Sequence, residues 1–313
     1  MPPKTDTIAG LHHVTAIAVD PQANLDFYTR VLGLRLVKQT VNFDAPDVYH
    51  FYYGDRRGTP GSVLTFFPFT DAGPGKVGPG TTASVTWRTP PGSLEGWMVR
   101  LTENGLDFDG PFERFGRPHI GFADPDGLNL EIAEHAGAAP SPDTALGVFD
   151  GVTLALETPG PSADLLIGLF GFRSVAEEAG RQRLESPEGG DAAAIELLPA
   201  SGERVQGGGS VHHIAFRVAD GGALGRWRER LVGLGMEVTP VRERLYFRSI
   251  YFREPGGILF ELATVTPGFA VDEPMEALGS ALQLPPWLEA DRARIERRLP
   301  SVRVPQDAGT RTP

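Results

Sequence analysis

Five residues of this 313-residue chain have the types and the spacing to do chemistry together. His12 with His13, and His212 with His213, are adjacent pairs at the start of apolar runs that alternate with the period of a half-buried strand. That alternation points the two imidazoles of a pair to opposite faces. Glu261 is a lone acid among Ile, Leu, Phe and Leu in the run Ile258–Ala263, where an unpaired carboxylate costs roughly several kcal/mol. Imidazole nitrogens and a carboxylate oxygen are ligands that a divalent first-row metal accepts together. One imidazole from each pair, with Glu261, is therefore expected to hold one ion.

The elements that must bring these groups together are repeats. LHHVTAIAVD, Leu11 to Asp20, repeats in VHHIAFRVAD, Val211 to Asp220, and in both the second histidine stands seven residues before the aspartate. His13 and His213 thus occupy equivalent positions of equivalent strands. A unit of strand, helix and three strands recurs four times. Unit one has a helix over about Pro21 to Leu32, with Asp20 as cap, Pro21 in the first turn and Gly33 at the end, followed by DVYHFYYGD and GSVLTFFPF. Unit two opens with TTASVTWRT, places Leu94, Trp97, Met98 and Leu101 on a helix, and closes with HIGFADPDGLNLEIAE. Unit three opens with GVTLALET, carries Leu165, Leu166, Leu169 and Phe170 on a short helix, and ends in AAAIELLPA. Unit four has Leu224, Trp227 and Leu231 on one helix side, and its REPGGILFELA mirrors ADPDGLNLEIA of unit two. GAAPSPDTALG divides the halves, and PPWLEADRARIERRL reads as a terminal helix before a frayed Pro-rich tail.

If first and last strands line a concave sheet, the first-strand positions are His13, the Ser84/Thr86 region, the Val152/Thr153 region and His213. The last-strand positions are Thr65 or Phe66, Glu131, Glu196 and Glu261. Only units one and four together supply two imidazoles and an acid, so they must pair in space although they are furthest apart in sequence. Units two and three offer glutamates without imidazole, a poor transition-metal site.

Composition sets the class. A net charge of -11 argues against nucleic acid and anionic membrane as partners. The arginines around 226–230 and 292–298 are interleaved with acids and read as solvated helix faces. No apolar run approaches bilayer length, and residues 1–10 lack an apolar signal core. The absence of cysteine excludes disulfides, thiolate ligands and a cysteine nucleophile, and fits a cytoplasmic protein.

The repeated units and the His/His/Glu set resemble the vicinal-oxygen-chelate superfamily of glyoxalases, extradiol dioxygenases and antibiotic-resistance proteins. More narrowly, LHHVT, GTPGSVLTFFPF, YFRSIYFREPGGILFE and the PPWLE tail resemble its hydroquinone-type ring-cleaving dioxygenases over nearly the whole chain. The resemblance implies an α+β fold of four βαβββ units in two paired-unit, barrel-like domains, residues 8–137 and 148–266, with a C-terminal helix and tail over 267–313. It implies Fe(II), with Mn(II) as the substitute, on His13, His213 and Glu261, and a small aromatic substrate with O2, in a chain that can also form a homo-oligomer. It places His12 and His212 beside the substrate and matches Thr15, Arg244 and Tyr251 to further pocket positions. An imidazole titrating near neutral pH suits proton traffic, which makes His212 or His12 the acid/base candidate. Arg244 is expected to neutralise a phenolate, and Tyr251 to donate a hydrogen bond to substrate or oxygen.

Other readings compete. A metal-dependent glyoxalase or isomerase would use four protein ligands, and the Thr65/Phe66 region shows no fourth. A metal-free drug-sequestering protein has no use for two imidazoles and a buried acid. His50, His119 and His135 stand alone and read as core or capping residues, Glu131 and Glu196 as relics of the repeat or surface acids. For Arg244, a surface pair with Glu243 competes with a pocket role. The aromatic runs FYYGD and FFPF read as core or pocket wall.

Overall fold

Each of the four units folds as strand, helix and three strands. The computed structural model describes residues 6–138, 146–188 and 193–304, so most of the divider between the halves and the end of the tail lie outside the described residues. Unit one comprises β1 (Leu11–Ala18), α1 (Pro21–Asp26), β2 (Arg35–Asn42), β3 (Ala45–Gly54) and β4 (Val63–Pro68). Unit two comprises β5 (Thr81–Thr89), α2 (Leu94–Glu103), β6 (Phe108–Arg114), β7 (Arg117–Ala123) and β8 (Asn129–Glu134). Unit three comprises β9 (Phe149–Leu156), α3 (Pro159–Asp164), β10 (Arg173–Glu178), β11 (Arg181–Glu185) and β12 (Ala194–Pro199). Unit four comprises β13 (Val211–Val218), α4 (Gly221–Gly233), β14 (Arg242–Glu243), β15 (Arg248–Arg253) and β16 (Leu259–Thr264).

Asp20 caps its helix as read from sequence, and Asp220 does the same for the helix of unit four. Asp20 Oδ1 accepts from the backbone N–H of Gln22 and Ala23 at 2.8 and 3.0 Å, and Asp220 Oδ1 accepts from that of Ala223 at 2.8 Å. In units one and three the helix widens into a π-helical turn, Phe27–Val31 and Leu165–Leu169, before the chain turns back. The C-terminal helix α5 is shorter than expected, Arg292–Arg298, because Pro285 starts a turn that takes the Leu288 N–H and a 3-10 turn follows over Glu289–Asp291.

Units one and four form one eight-stranded sheet, ordered β14-β15-β16-β13-β1-β4-β3-β2, and units two and three form another, ordered β10-β11-β12-β9-β5-β8-β7-β6. Both sheets are curled. In every unit the first strand runs parallel to the last, with the helix as crossover, and the seam between units is antiparallel, β1 with β13 and β5 with β9. One apolar cluster runs through the layers of both sheets. A smaller one, including Val37, Val63, Phe247, Ala263 and Phe269, lies on the inner face of the first sheet. Residues after Thr264 leave the repeat and strap that face. Lys38, fully buried on β2, donates to Asp272 at 2.6 Å and to Glu273. No helix among the described residues is long and apolar enough to cross a membrane.

Candidate metal centre

Register builds the site. Across the seam His13 of β1 pairs with Ala215 of β13, and Ala215 pairs on its other side with Glu261 of β16. Directly paired residues share a face, so His13 and Glu261 flank one methyl group. His213, two residues before Ala215, shares that face. The three side chains converge: His13 Nε2 lies 3.3 Å from His213 Nε2 and 3.3 Å from Glu261 Oε2, and His213 Nε2 lies 2.9 Å from Glu261 Oε2. All three residues are buried.

These contacts do not satisfy the carboxylate. Neither oxygen of Glu261 has a hydrogen-bond partner in proper geometry, although both ring nitrogens are close. Donor atoms at such separations leave a point about 2.1 Å from all three, the length of a metal–nitrogen or metal–oxygen bond. The donor set and the orphaned carboxylate therefore fit a divalent cation. Burial alone would raise the Glu261 carboxyl, but His13 and then His213 overcome it and hold the group well below the usual range. Burial likewise pushes the His213 ring down, against the pull of Glu261.

The adjacent imidazoles do not point to opposite faces as strand alternation implies. The pairing of β1 with β13 slips by one residue between Leu11 and His13 and again between Thr15 and Ala16. His12 and His212 are the extra residues at these slips, and such a bulge turns neighbouring side chains toward one side. His12 Nδ1 consequently sits 2.9 Å from His13 Nδ1, and His212 Nδ1 sits 2.8 Å from His213 Nδ1. With Nε2 of His13 and His213 turned to the common point, their Nδ1 carry the hydrogens and donate to His12 and His212. Burial, then the neighbouring His13 or His213, lowers both outer rings to about 3, so they are neutral at physiological pH.

A cavity of about 370 Å³ opens over His13, His212, His213 and Glu261, with His50, Tyr52, Phe67, Arg244, Phe247 and Tyr251 in its wall, whereas His12 lines a separate cavity beside Phe247 and Phe269. Arg244 is a wall residue, not the partner of Glu243. Its Nε donates to Tyr251 Oη at 3.1 Å and its Nη2 to Asp44 at 3.0 Å, while Glu243 takes Arg248. Thr15 is fully buried and its hydroxyl meets that of Thr65 at 2.8 Å, so it sits behind the wall. His50 is buried, as a core residue would be, yet it also lines the cavity. The signal was the alternation in VYHFYY: Tyr49, Phe51 and Tyr53 join the main core, while His50 and Tyr52 face the other way.

A pseudo-twofold relates units one and four: His13 matches His213, Ala215 matches Thr15, and Glu261 matches Thr65, because Thr15 pairs with both His213 and Thr65. The position a fourth ligand would take is therefore a threonine already bonded to Thr15 and to His50.

The second sheet has the same register without the ligands. Ser84 and Gly151 stand where His13 and His213 do, and Glu196 pairs with Thr153 as Glu261 pairs with Ala215. A Cβ at Gly151 would lie 2.4 Å from the Ala194 carbonyl oxygen, so histidine does not fit there. Glu131 and Glu196 are buried, which corrects their reading as surface acids. Arg114 grips Glu131 at 2.7 and 3.1 Å, and Arg183 bridges Glu196 and Asp150, each at 3.0 Å. Guanidinium groups supply the positive charge here. His119 is stacked on Phe112 in the wall of this sheet, away from the site.

The sequence profile of the Glyoxalase/Bleomycin resistance protein/Dioxygenase superfamily matches residues 10–132 and 151–262. The chain is 44% identical over 299 residues to MhqO of Bacillus subtilis (strain 168), named as a candidate ring-cleaving dioxygenase, with 93% of this chain and 95% of that one covered. It is 34% identical over 311 residues to chlorohydroquinone/hydroquinone 1,2-dioxygenase of Sphingobium indicum, covering 94% and 97%. Among solved structures, a candidate dioxygenase from Bacillus subtilis superposes with a TM-score of 0.92 at 42% identity, covering 96% of this chain and 99% of that one. Glyoxalase I from Zea mays, at 14% identity and a TM-score of 0.64 over 82% of this chain and 92% of its own, shares the fold.

Proposed function

We infer the activity from the superfamily to which this chain belongs, the Glyoxalase/Bleomycin resistance protein/Dioxygenase superfamily: the protein is a ring-cleaving dioxygenase that opens a hydroquinone-class aromatic with O2 at a non-haem Fe(II), or Mn(II), held by His13, His213 and Glu261. The observation that carries this reading is the convergence of these three donor atoms under an aromatic-walled cavity, with a threonine at the fourth position. A relative named for hydroquinone 1,2-dioxygenase activity supports the substrate class. Held by His13, His213 and Glu261, such an ion would supply Lewis acidity that lowers the pKa of a ring hydroxyl, and redox chemistry with dioxygen.

The chain's own residues do the rest. His12 and His212 fix the orientation of the two ligand rings through the Nδ1 contacts. Neutral and accepting from His213 at Nδ1, His212 carries its hydrogen on Nε2 and can donate it to an oxygen of substrate or product. Arg244 and Tyr251, bonded to each other, place a guanidinium and a phenol against an anionic oxygen of substrate or product. Phe67 and Phe247 supply ring faces that pack on a flat substrate and keep water from it. This reading places the enzyme in the cytoplasm, acting on a small diffusible aromatic.

The test is anaerobic loading with Fe(II) followed by oxygen uptake with hydroquinones and catechols. Uptake with hydroquinones is expected, and both His213→Ala and Glu261→Ala should lose the metal and at least about 1,000-fold in turnover while remaining folded. Full activity in either variant removes the site.

A further inference from the structure

We propose that Tyr52 and His50 form a second anchor in the cavity, one that holds a ring oxygen other than the one the ion would take and can present to it either a hydroxyl hydrogen or a lone pair. It rests on the ring-cleavage reading in one respect, that the occupant is a hydroxylated aromatic. His50 and Tyr52 stand two residues apart on β3 and both reach the cavity. Tyr52 Oη lies 2.8 Å from His50 Nδ1, His50 Nε2 lies 2.9 Å from Thr65 Oγ1, and Thr65 Oγ1 lies 2.8 Å from Thr15 Oγ1. The imidazole is wedged between the rings of Tyr52 and Phe67, at 4.0 and 4.3 Å between centroids, so its position is fixed.

Hydrogen counting gives this chain its property. His50 is neutral, since burial pushes its pKa well below the ordinary value, and each of the four groups then carries one hydrogen. Three links use three hydrogens and leave one at an end. If donation runs from Thr15 toward Tyr52, His50 carries its hydrogen on Nδ1 and Tyr52 turns its O–H to the cavity. If donation runs the other way, Tyr52 gives its hydrogen to Nδ1 and shows the cavity a lone pair. The two arrangements have equal charge and the same three links and differ in which end keeps the spare hydrogen, Tyr52 at the cavity or Thr15 behind the wall, so what the Tyr52 oxygen meets biases the choice between them.

A phenol hydroxyl donates, whereas a phenolate or carbonyl oxygen accepts. One anchor can therefore hold a hydroquinone's distal oxygen both before and after that oxygen gives up its hydrogen. A catechol carries both oxygens on neighbouring carbons and has none to place there, which makes the pair a determinant of substrate class.

Anaerobic titration of the Fe(II)-loaded protein with hydroquinone and with phenol tests this. Tyr52→Phe should weaken hydroquinone about tenfold and phenol by less than about twofold, the size of one lost hydrogen bond. Equal losses, or none for hydroquinone, overturn the anchor. Thr65→Val acts behind the wall. In the metal-free wild type, the 15N shifts of both His50 ring nitrogens should be averaged between the two tautomers, and in Thr65→Val one nitrogen should move to its protonated extreme. A merely structural chain would lower Tm and leave the hydroquinone-to-phenol ratio and the 15N shifts as they were, and a single fixed tautomer in wild type also overturns the proposal. Oxygen uptake separates the two readings. Uptake with a ratio insensitive to Tyr52→Phe removes the anchor alone, and a sensitive ratio without uptake removes ring cleavage alone.

Discussion

At the scale of single residues, the centre depends on a side chain that does no chemistry. His13 and Glu261 are on strands separated by β13, and they meet only because the residue between them, Ala215, is a fully buried methyl on the same face. Ala215→Leu would put a branched side chain where the two donor atoms come within 3.3 Å. Overpacking of this kind costs about 1–3 kcal/mol, well within what a folded domain tolerates. The variant should therefore stay folded and bind metal at least about tenfold more weakly, because the displaced ligands cannot share one ion. Metal content after dialysis, set beside a melting curve, reads both effects. Wild-type metal affinity in Ala215→Leu would show that the three donors do not meet over this position.

At the scale of elements, the sequence carried what is periodic and hid what depends on a distant partner. The four units, the Asp20 and Asp220 caps and the pairing of units one and four are legible because each follows from local alternation or from the repeated His-His pattern. The slips at His12 and His212 are not, since they exist only in the pairing of two strands about 200 residues apart in sequence. The same holds for the second sheet. Nothing local to NLEIAE or AIELLPA reveals that Arg114 and Arg183 fold back onto Glu131 and Glu196, so two buried glutamates resemble solvated ones. Asp150, at the slip matching that of His212, takes two hydrogen bonds from Arg117 and one from Arg183. Burial pushes its carboxyl up, but Arg183 and Arg117 prevail and hold it below the usual range. Asp150→Asn leaves those guanidinium groups facing a neutral amide in a buried place, and removal of one partner from such a network costs about 3–5 kcal/mol. Urea unfolding should show a loss of that size with metal affinity at the other sheet unchanged. A loss below about 1 kcal/mol would mean that water, not Asp150, satisfies these arginines.

At the scale of the whole molecule, the two sheets are joined by a reciprocal device at the turns before β8 and β16. Asp124 accepts from the Leu128 N–H at 2.8 Å within its own turn and from Tyr28 Oη of the first sheet at 3.0 Å. Glu254 accepts from the Ile258 N–H at 2.9 Å and from Ser162 Oγ of the second sheet at 2.6 Å. Each sheet thus hands one carboxylate to a helix of the other. The pair differs in cost. Burial raises the Asp124 carboxyl to about 6, which the bonds from Leu128 and Tyr28 only partly offset. In the unfolded chain the group titrates near 3.9, so between roughly pH 4 and 6 the folded state binds the proton and the unfolded state does not. A folded pKa above the unfolded one makes stability fall as pH rises through this window and stay lower above it, by on the order of 2–3 kcal/mol. Asp124→Asn keeps an acceptor for Leu128 and removes the titration. Its unfolding free energy relative to wild type should therefore improve by about 1–3 kcal/mol between pH 4.5 and pH 7.5, since only the wild type pays to ionise the group in the fold. Because Asp124 bonds Tyr28 and residues of its own turn rather than the cation ligands, metal binding should follow the same curve in both proteins. Parallel stability profiles for the two proteins would mean that Asp124 is already ionised below pH 4.5, and that the joint between the sheets costs nothing to charge.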